Sequence, residues 1–255
     1  MTPGQIAVMV AAAAGGGVMN ALAGGGTLLT FPVLVLLGEP SIQANATSTV
    51  ALLPGAAASM VGYRREVATH REWLKTLFIP SLAGGAVGSM LLLRTPEKAF
   101  AHLAPFLVLF ATLLFLLQAV LAGRFGPTLP RPRDASGMLV LMMCLQFGVA
   151  VYGGYFGAGM GILMLVILGF LGVRDIHAAN GLKNFFGMCI NGVAAGYFIF
   201  RGVVNWPAAL VMILGATIGG YTGARLGRHI GKEKARAAVV VIGFAITGIL
   251  LWQSR

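Results

Sequence analysis

The sequence predicts an all-α polytopic membrane protein made of two inverted repeats, each with a glycine-broken helix that forms a half-membrane hairpin and three spanning helices. Hydrophobic residues make up 58% of the 255-residue chain, and charged residues make up only 10%. Apolar runs close to a membrane span in length recur from end to end. A glycine-rich interruption of such a run occurs twice. These observations exclude an ordinary soluble domain and predict a multi-pass protein of the lipid bilayer.

The two interruptions are AGGGTLLTFP at residues 23–32 and FGAGMGILML at residues 156–165, an offset of 133 (156 minus 23). In each, a long apolar run stops at glycines and then resumes for about a dozen residues. Backbone amides freed at membrane depth are tolerated only where they face protein or water, and a helix that restarts there offers an anion site. The alternative explanation is that these glycines only allow close helix packing.

Each half of the chain divides into five apolar segments. In the first half they are residues 5–23, 27–38, 41–63, 73–93 and 99–123, and in the second half 136–156, 160–172, 176–200, 206–227 and 235–252. As helices, the short segments 27–38 and 160–172 would reach only about 18 to 20 Å, less than the roughly 30 Å of hydrocarbon. We therefore predict half-membrane arms there.

Proline and charge mark the boundary between the halves. RFGPTLPRPRD, residues 124–134, is rich in both, as a connecting loop would be. We predict a first transmembrane repeat at 1–123, a cytoplasmic linker at 124–135 and a second repeat at 136–255. A further glycine pattern supports the repeat: GGAVG at 84–88 recurs as GGYTG at 219–223, an offset of 135 (219 minus 84). Glycines four apart suit close helix crossings.

The distribution of basic residues distinguishes two topologies, one in which each interrupted segment crosses the membrane and one in which it turns back. If each interruption crossed the membrane once, Lys and Arg would divide almost evenly between the two sides, contrary to the usual cytoplasmic excess. If each turns back, thirteen fall on one side, namely Arg64, Arg65, Arg71, Lys75, Arg124, Arg131, Arg133, Arg174, Arg225, Arg228, Lys232, Lys234 and Arg236. Four fall on the other, namely Arg94, Lys98, Arg201 and Arg255. The bias predicts inverted halves with both termini outside the cytoplasm, as in many secondary transporters.

The basic pI, about 10.5, does not indicate nucleic-acid binding here, because the excess charge lies in short loops between apolar spans. The expected partners are the bilayer and a small anion, and oligomerisation is left open. The two cysteines form no spaced pair, so we expect neither a disulfide framework nor a metal site, and we expect no cofactor.

Lys183 is the one basic residue that falls inside a predicted span. An ammonium at that depth costs a few kcal/mol without a partner or water, so it is a candidate functional residue. Helical spacing places it on one face with other polar and small residues, namely Asn180, Asn184, Gly187 and Asn191. The alternative is that Lys183 extends to the cytoplasmic interface.

The matching segment of the first half also begins with polar residues. Asn45, Thr47, Ser48 and Thr49 follow Pro40, and Thr47 aligns with Asn180 at the 133 offset. Two polar helix starts thus accompany two glycine breaks. Ordinary hydrogen bonding between helices remains an alternative role for each of these side chains.

The acidic residues are all expected in loops, namely Glu39, Glu66, Glu72, Glu97, Asp134, Asp175 and Glu233. No carboxylate would then lie inside the membrane to bind a cation or relay protons, so the site should favour anions. His177, beside Asp175, is expected to be a helix cap, with a gating role as the alternative. An intramembrane enzyme such as a protease would need a nucleophile with a base in reach. Neither a Gly-x-Ser-x-Gly elbow nor a Ser/Lys pair at helical spacing occurs, so we expect no enzyme and no catalytic residue.

Two stretches of this sequence resemble a known family. GGGTLLTFPVLVLLG followed by ANATS (residues 44–48), and GAGMGILMLVILGFLG followed by AANGLKN (residues 178–184), are similar to the TauE/SafE family of bacterial membrane proteins, over nearly the whole chain. The resemblance implies a multi-pass carrier of sulfite or organosulfonates in the bacterial inner membrane. The second copy departs from the pattern, since Leu165 stands where the first has Pro32, and the equivalence of the two half-sites is open.

We therefore predict a secondary transporter that holds sulfite or a small sulfonate near the midplane and moves it by alternating access. Backbone amides at the breaks would bind the anion, Lys183 would neutralise it, and polar side chains would orient it. The predicted site residues are Gly24, Gly25, Gly26, Thr27, Asn45, Thr47, Ser48, Gly157, Gly159, Met160, Gly161, Asn180, Lys183 and Asn184. The alternatives are a carrier of another small anion or a metal ion, and a non-transporting membrane partner in sulfur metabolism.

Overall fold

The computed structural model describes residues 1–22, 24–62, 67, 71–124, 136–173, 175–226 and 232–253. These residues form ten α-helices, five in each half, and the ten predicted segments are confirmed as helices. They are α1 Pro3–Leu22, α2 Thr27–Leu36, α3 Ser41–Gly62, α4 Arg71–Arg94, α5 Glu97–Arg124, α6 Ser136–Tyr155, α7 Met160–Phe170, α8 Ile176–Phe200, α9 Trp206–Leu226 and α10 Lys232–Gln253.

Length and hydropathy separate spanning from short helices. Within the described residues, four stretches are long and apolar enough to cross a membrane, namely Pro3–Ala21, Arg71–Arg94, Glu97–Leu117 and Gly137–Tyr155. By contrast, α2 and α7 have 10 and 11 residues, so they extend only about 15 to 17 Å. Both short helices are therefore too short to cross the roughly 30 Å of hydrocarbon.

The two helix breaks begin with matching backbone geometry, although the residues that precede α2 and α7 differ, since Gly26 has a φ of −55° and Gly159 a φ of 75°. Gly24 and Gly157 both have positive φ, 80° and 81°, a conformation that favours glycine. The N–H of Gly24 donates to the Met19 carbonyl at 3.0 Å, and the N–H of Gly157 donates to the Tyr152 carbonyl at 3.1 Å. Each pair lies five residues apart, so α1 and α6 end in the same way at the 133 offset.

Each half packs its fourth helix on the first helix of the other half, α9 on α1 and α4 on α6. A Cβ on Gly219 would lie 2.0 Å from the Ala14 carbonyl oxygen, and one on Gly84 would lie 2.6 Å from that of Phe147. The two contacts are equivalent, because Ala14 and Phe147 are related by the offset of 133 and Gly84 and Gly219 by the offset of 135. The repeated glycines thus allow backbone-to-backbone crossing.

Several predictions fall outside the described residues. They are Ala23, the linker beyond Arg124 and the basic residues Arg64, Arg65, Arg131, Arg133, Arg174, Arg228 and Arg255. The repeat boundaries, the inverted orientation of the halves and their sidedness in a membrane stay predictions. The placement of every acidic residue in a loop is wrong, because Glu72, Glu97 and Glu233 lie in the first turns of α4, α5 and α10. Acidic side chains are favourable there, near the positive end of the helix dipole.

Candidate functional site

The two breaks meet each other in the interior of the protein. A Cβ on Gly24 would lie 2.9 Å from the Cα of Gly161, in the first turn of α7. Backbone therefore approaches backbone where the first break touches the second half. A side chain at position 24 would be excluded both by this contact and by the positive φ of the residue.

A small cavity of about 30 Å³ lies beside this contact, with room for about one or two water molecules. We call it the Lys183 cavity. The first half contributes its edge, namely Asn20, Gly24 and Ala56, and the second half contributes Met160, Gly161, Met164, Lys183, Asn184, Gly187, Met188 and Asn191. Of these lining residues, none is acidic. The cavity therefore combines one cation, three side-chain amides and soft apolar walls.

Lys183 lies about two turns into α8 with only 2% of its surface exposed. Its side chain lines the cavity. A lysine that extended along the helix to the membrane interface would be more exposed than this. Burial of an ammonium is tolerated where polar groups or a ligand compensate it. The position fits the predicted charge of an anion site.

Asn184 follows Lys183 and is also buried, at 7% exposure. Its side-chain nitrogen has no hydrogen-bond partner among the described residues. A buried amide donor without a partner costs free energy, and an anion in the cavity would supply the missing acceptor. Asn180, one turn earlier in α8, is buried as well but is not among the cavity-lining residues.

The predicted polar residues of the first half do not reach the cavity. The side-chain nitrogen of Asn45 donates to the Tyr155 carbonyl at 3.0 Å, Thr47 Oγ1 accepts from the backbone N–H of Asn205 at 3.0 Å, and Ser48 Oγ lies 2.5 Å from Thr30 Oγ1. The polar face of α3 therefore packs against α2, the end of α6 and the start of α9. These contacts are the interhelical hydrogen bonds that the sequence left as an alternative.

Gly25 and Gly26 of the first break lie in close contact with other parts of the protein. A Cβ on Gly25 would lie 2.2 Å from Cζ of Phe115, and one on Gly26 would lie 2.4 Å from the Gly16 carbonyl oxygen. The N–H of Gly26 donates to Asn20 Oδ1 at 3.2 Å. Thr27, the first residue of α2, is buried but does not line the cavity.

The second break is held in a similar way. Tyr152 donates its hydroxyl hydrogen to the Ala158 carbonyl at 2.5 Å, and Gly159 has a positive φ of 75°. Gly157 and Gly159 do not line the cavity, whereas Met160 and Gly161 do. Because the N–H groups of Gly24, Gly26 and Gly157 already bond within the protein, the predicted use of those three amides by an anion requires that these bonds break.

Aromatic rings of both halves surround the first-half position that is equivalent to a cavity-lining residue of the second half. At the 133 offset Phe31 occupies the position of Met164. Its ring packs edge-on against those of Phe156 and Phe100, with centroids 5.3 and 6.2 Å away, and Phe100 packs on Tyr155 at 5.7 Å. We call these four residues the aromatic cluster. Phe31 is itself fully buried.

The predicted site residues omit six cavity-lining residues, namely Asn20, Ala56, Met164, Gly187, Met188 and Asn191. Helical spacing places Gly187 and Asn191 on the same face as Lys183, but the predicted site does not include them. Asn20 had a usable signal, because it is a lone amide near the end of a long apolar run. The two methionines and the alanine had none, since apolar residues in a membrane helix face lipid, protein or a cavity with the same sequence pattern.

Comparisons with known proteins agree with this architecture. A protein-family model described as "Sulfite exporter TauE/SafE" matches residues 8–250. A "Probable membrane transporter protein" of Haemophilus influenzae is 28% identical over 238 residues, covering 92% of this chain and 90% of the relative. No solved structure matches the chain.

Two further relatives have similar coverage. "Probable membrane transporter protein ORF9" of a Sinorhizobium species is 27% identical over 249 residues, with 96% of this chain and 92% of the relative covered. "Probable membrane transporter protein YfcA" of Escherichia coli K12 is 26% identical over 249 residues, with 94% and 87% covered.

Proposed function

This chain belongs to the sulfite exporter TauE/SafE family, and on that premise we propose that it moves a small sulfur-containing anion, sulfite or an organosulfonate, through the Lys183 cavity. It is a multi-pass membrane protein, and its full-length relatives carry the name of probable membrane transporters. The observation that carries the proposal is a buried lysine in a cavity between the two helix breaks, lined by amides and by no acidic residue.

The charge balance of the cavity favours an anion. Lys183 supplies a positive charge, and Asn184 supplies a buried donor that lacks an acceptor among the described residues. Charge-assisted hydrogen bonds from an ammonium to an oxyanion are about twice as strong as neutral ones. A metal cation would find no carboxylate in the lining and would be repelled by the lysine, which argues against the metal-carrier alternative.

The breaks suggest how access could alternate. Gly24 and Gly161 touch at the cavity, so a movement of one half against the other changes the space between them. The pairs α1–α9 and α4–α6 each join a helix of one half to a helix of the other, so these contacts would have to shift when the halves rock. Rocking of repeats about a central site is the usual mechanism of transporters with this kind of internal repeat.

A flux assay tests the proposal. The purified protein in liposomes should take up sulfite or small sulfonates, and it should not take up carboxylates or divalent metal ions at a comparable rate. Lys183→Ala should abolish this flux, whereas Lys98→Ala, at an exposed lysine of α5, should leave it unchanged. Flux of metal ions alone would favour the metal carrier, and no flux of any solute would favour a non-transporting membrane partner.

A further inference from the structure

Glu39 joins the two halves at the end of the molecule formed by the α2–α3 turn, residues 37–40, and the α8–α9 turn, residues 201–205. We call this the Glu39 end. The side-chain amide of Asn205 donates to Glu39 Oε1. The backbone N–H of Asn205 donates to Thr47 Oγ1 at 3.0 Å, and its Oδ1 accepts from the N–H of Ala208 at 3.3 Å. One asparagine of the second half is therefore tied to the first half at two points.

The other carboxyl oxygen of Glu39 is left without compensation. Oε2 is buried and has no hydrogen-bond partner among the described residues. An ionised carboxylate has about four acceptor positions, and burying it with so few of them used is costly. A protonated carboxyl carries no charge, so this environment favours the protonated form. Burial accordingly raises the pKa of Glu39 above its ordinary value of 4.5, and the hydrogen bond from Asn205 lowers it in part.

The surroundings of Glu39 contain few other charges. Neither α2 nor α3 carries a titratable side chain, and the first turns of α9 carry none. From α5, Glu97 accepts hydrogen bonds from the N–H groups of Ser41 and Ile42, at 2.5 and 3.2 Å, and so caps α3. The basic residues of the neighbouring turns, Arg94, Lys98 and Arg201, form no ion pair with Glu39 in the part of the chain that the structure describes.

The Glu39 end is closed in this structure. Phe31 lies between the first break and Glu39 along the chain, and the aromatic cluster packs around it. Ala44, one turn into α3 from Glu39, is fully buried. Glu39 as a whole is half-buried, and its Oε2 is the buried atom. Opening of this end would separate Asn205 from Glu39 and expose the rest of the carboxyl group to water.

We propose that Glu39 is a proton-binding site that couples the opening of this end to pH, and this rests on the transport function proposed above. When the Glu39 end closes, the carboxylate takes a proton from a hydronium ion of the adjacent water, forming an O–H bond and leaving water. When the end opens, the proton returns to that water. The basic-residue bias predicts that this end faces the periplasm, so the exchange would be with periplasmic protons.

The direction of the coupling follows from the two environments of the carboxyl group. In the closed state burial raises its pKa, and in the open state, exposed to water, the group returns to its ordinary value. Protonation therefore favours the closed state. The free energy by which protonation of Glu39 stabilises the closed state is fully present below pH 4.5. It is lost as the pH rises through the raised pKa of the closed state. Rising pH opens the Glu39 end.

Thiol accessibility tests this without any transported anion. In full-length protein in liposomes, with Cys144→Ser and Cys189→Ser, Ala44→Cys reports opening through its reaction with a membrane-impermeant maleimide. Rates are divided by those of an exposed Lys98→Cys reporter at the same pH, which removes the titration of the thiol itself. The normalised rate should rise about tenfold from pH 4 to pH 8.

Three variants decide between outcomes. Glu39→Gln should hold the rate at its low-pH value at every pH. Glu97→Gln, at the other carboxylate of this end, should keep the pH dependence. Asn205→Ser retains a helix-capping hydroxyl but loses the amide donor that lowers the pKa of Glu39, so its midpoint should shift to higher pH.

A pH-independent rate in the parent protein, or an unchanged pH profile in Glu39→Gln, would overturn the proposal. If Glu39→Gln fails to fold, an unshifted midpoint in Asn205→Ser overturns it instead. Because no anion is present, a failure of the proposed transport function would leave these results intact, and an absence of pH coupling would leave the flux assay intact.

Discussion

The two halves of the chain begin their helix breaks with the same hydrogen bond and surround the breaks with different side chains. At the 133 offset the second half places Met164, Lys183 and Asn184 around a cavity, and the first half places Phe31, Val50 and Ala51 in a packed core. The hydrogen bonds at Gly24 and Gly157 match, so both breaks begin with the same backbone pattern. The backbones differ two residues later, where Gly26 has a φ of −55° and its equivalent Gly159 has a φ of 75°. The two breaks therefore share a hydrogen-bonding pattern, while the Lys183 cavity is lined mainly by residues of the second half.

The difference separates two roles for the halves. The aromatic cluster, in which Phe31 and Phe100 of the first half meet Tyr155 and Phe156 of the second, makes close ring contacts and would contribute packing energy. The second half leaves a polar cavity, which lowers stability and is typical of a binding site. Substitutions in the aromatic cluster should therefore change mainly stability, and substitutions in the cavity should change mainly binding.

The largest expected loss of stability is at Phe31. Phe31→Ala removes the ring contacts with Phe100 and Phe156 and should cost about 3 kcal/mol in the free energy of unfolding. Phe106→Ala, at an exposed phenylalanine of α5, should change it by less than about 0.5 kcal/mol. Unfolding in mixed detergent micelles measures both. Equal losses would mean that the aromatic cluster adds nothing to the first half.

A smaller effect is expected at Gly25. Gly25→Ala places a methyl group against the ring of Phe115 and should cost about 2 kcal/mol through overpacking. Adding Phe115→Leu should recover both stability and flux, and Gly4→Ala, in open space, is the control. A double variant that is stable yet inactive would instead show that Gly25 must stay bare for the anion to approach.

The smallest effect is expected at Asn184, where a substitution should leave stability unchanged or raise it slightly while it weakens anion binding. Asn184→Leu removes a buried nitrogen that lacks a partner among the described residues, so the empty protein should be as stable as wild type or slightly more stable. Its affinity for sulfite should fall about tenfold, or about 1.4 kcal/mol. The stabilisation produced by added sulfite measures that affinity.

Asn45→Leu is the matched control for Asn184→Leu. It breaks the hydrogen bond to the Tyr155 carbonyl, so it should lower stability and leave the sulfite effect unchanged. If Asn45→Leu rather than Asn184→Leu weakens sulfite binding, the site lies nearer the first half and the comparison made here is reversed.

The sequence predicted the helices, the breaks and the close crossings because each leaves a local pattern. Apolar runs fix the helices, and glycines at offsets of 133 and 135 anticipate the equivalent contacts of Gly84 and Gly219. The cavity residues from Met160 to Asn184 were partly predicted, because one helical face gathers the lysine and the amides.

The roles of the polar residues could not be predicted in full. They depend on which neighbour each polar helix face contacts, and tertiary packing decides that. Asn45, Thr47 and Ser48 looked equivalent to the start of α8, yet their partners Tyr155, Asn205 and Thr30 come from distant segments. Glu39 looked like an ordinary loop residue for the same reason. Its partial burial results from the α8–α9 turn of the other half, which no spacing in the first half reveals.

Equilibrium binding of sulfite to purified Lys183→Ala tests the central claim most directly. The account predicts at least a hundredfold loss of affinity, about 2.7 kcal/mol, because the buried ammonium is the only charge among the residues that line the cavity. Lys183→Arg should lose less without full recovery, since its planar fork presents donors differently, and Lys98→Ala should bind like wild type. Wild-type affinity in Lys183→Ala would contradict the account and remove the site from this cavity.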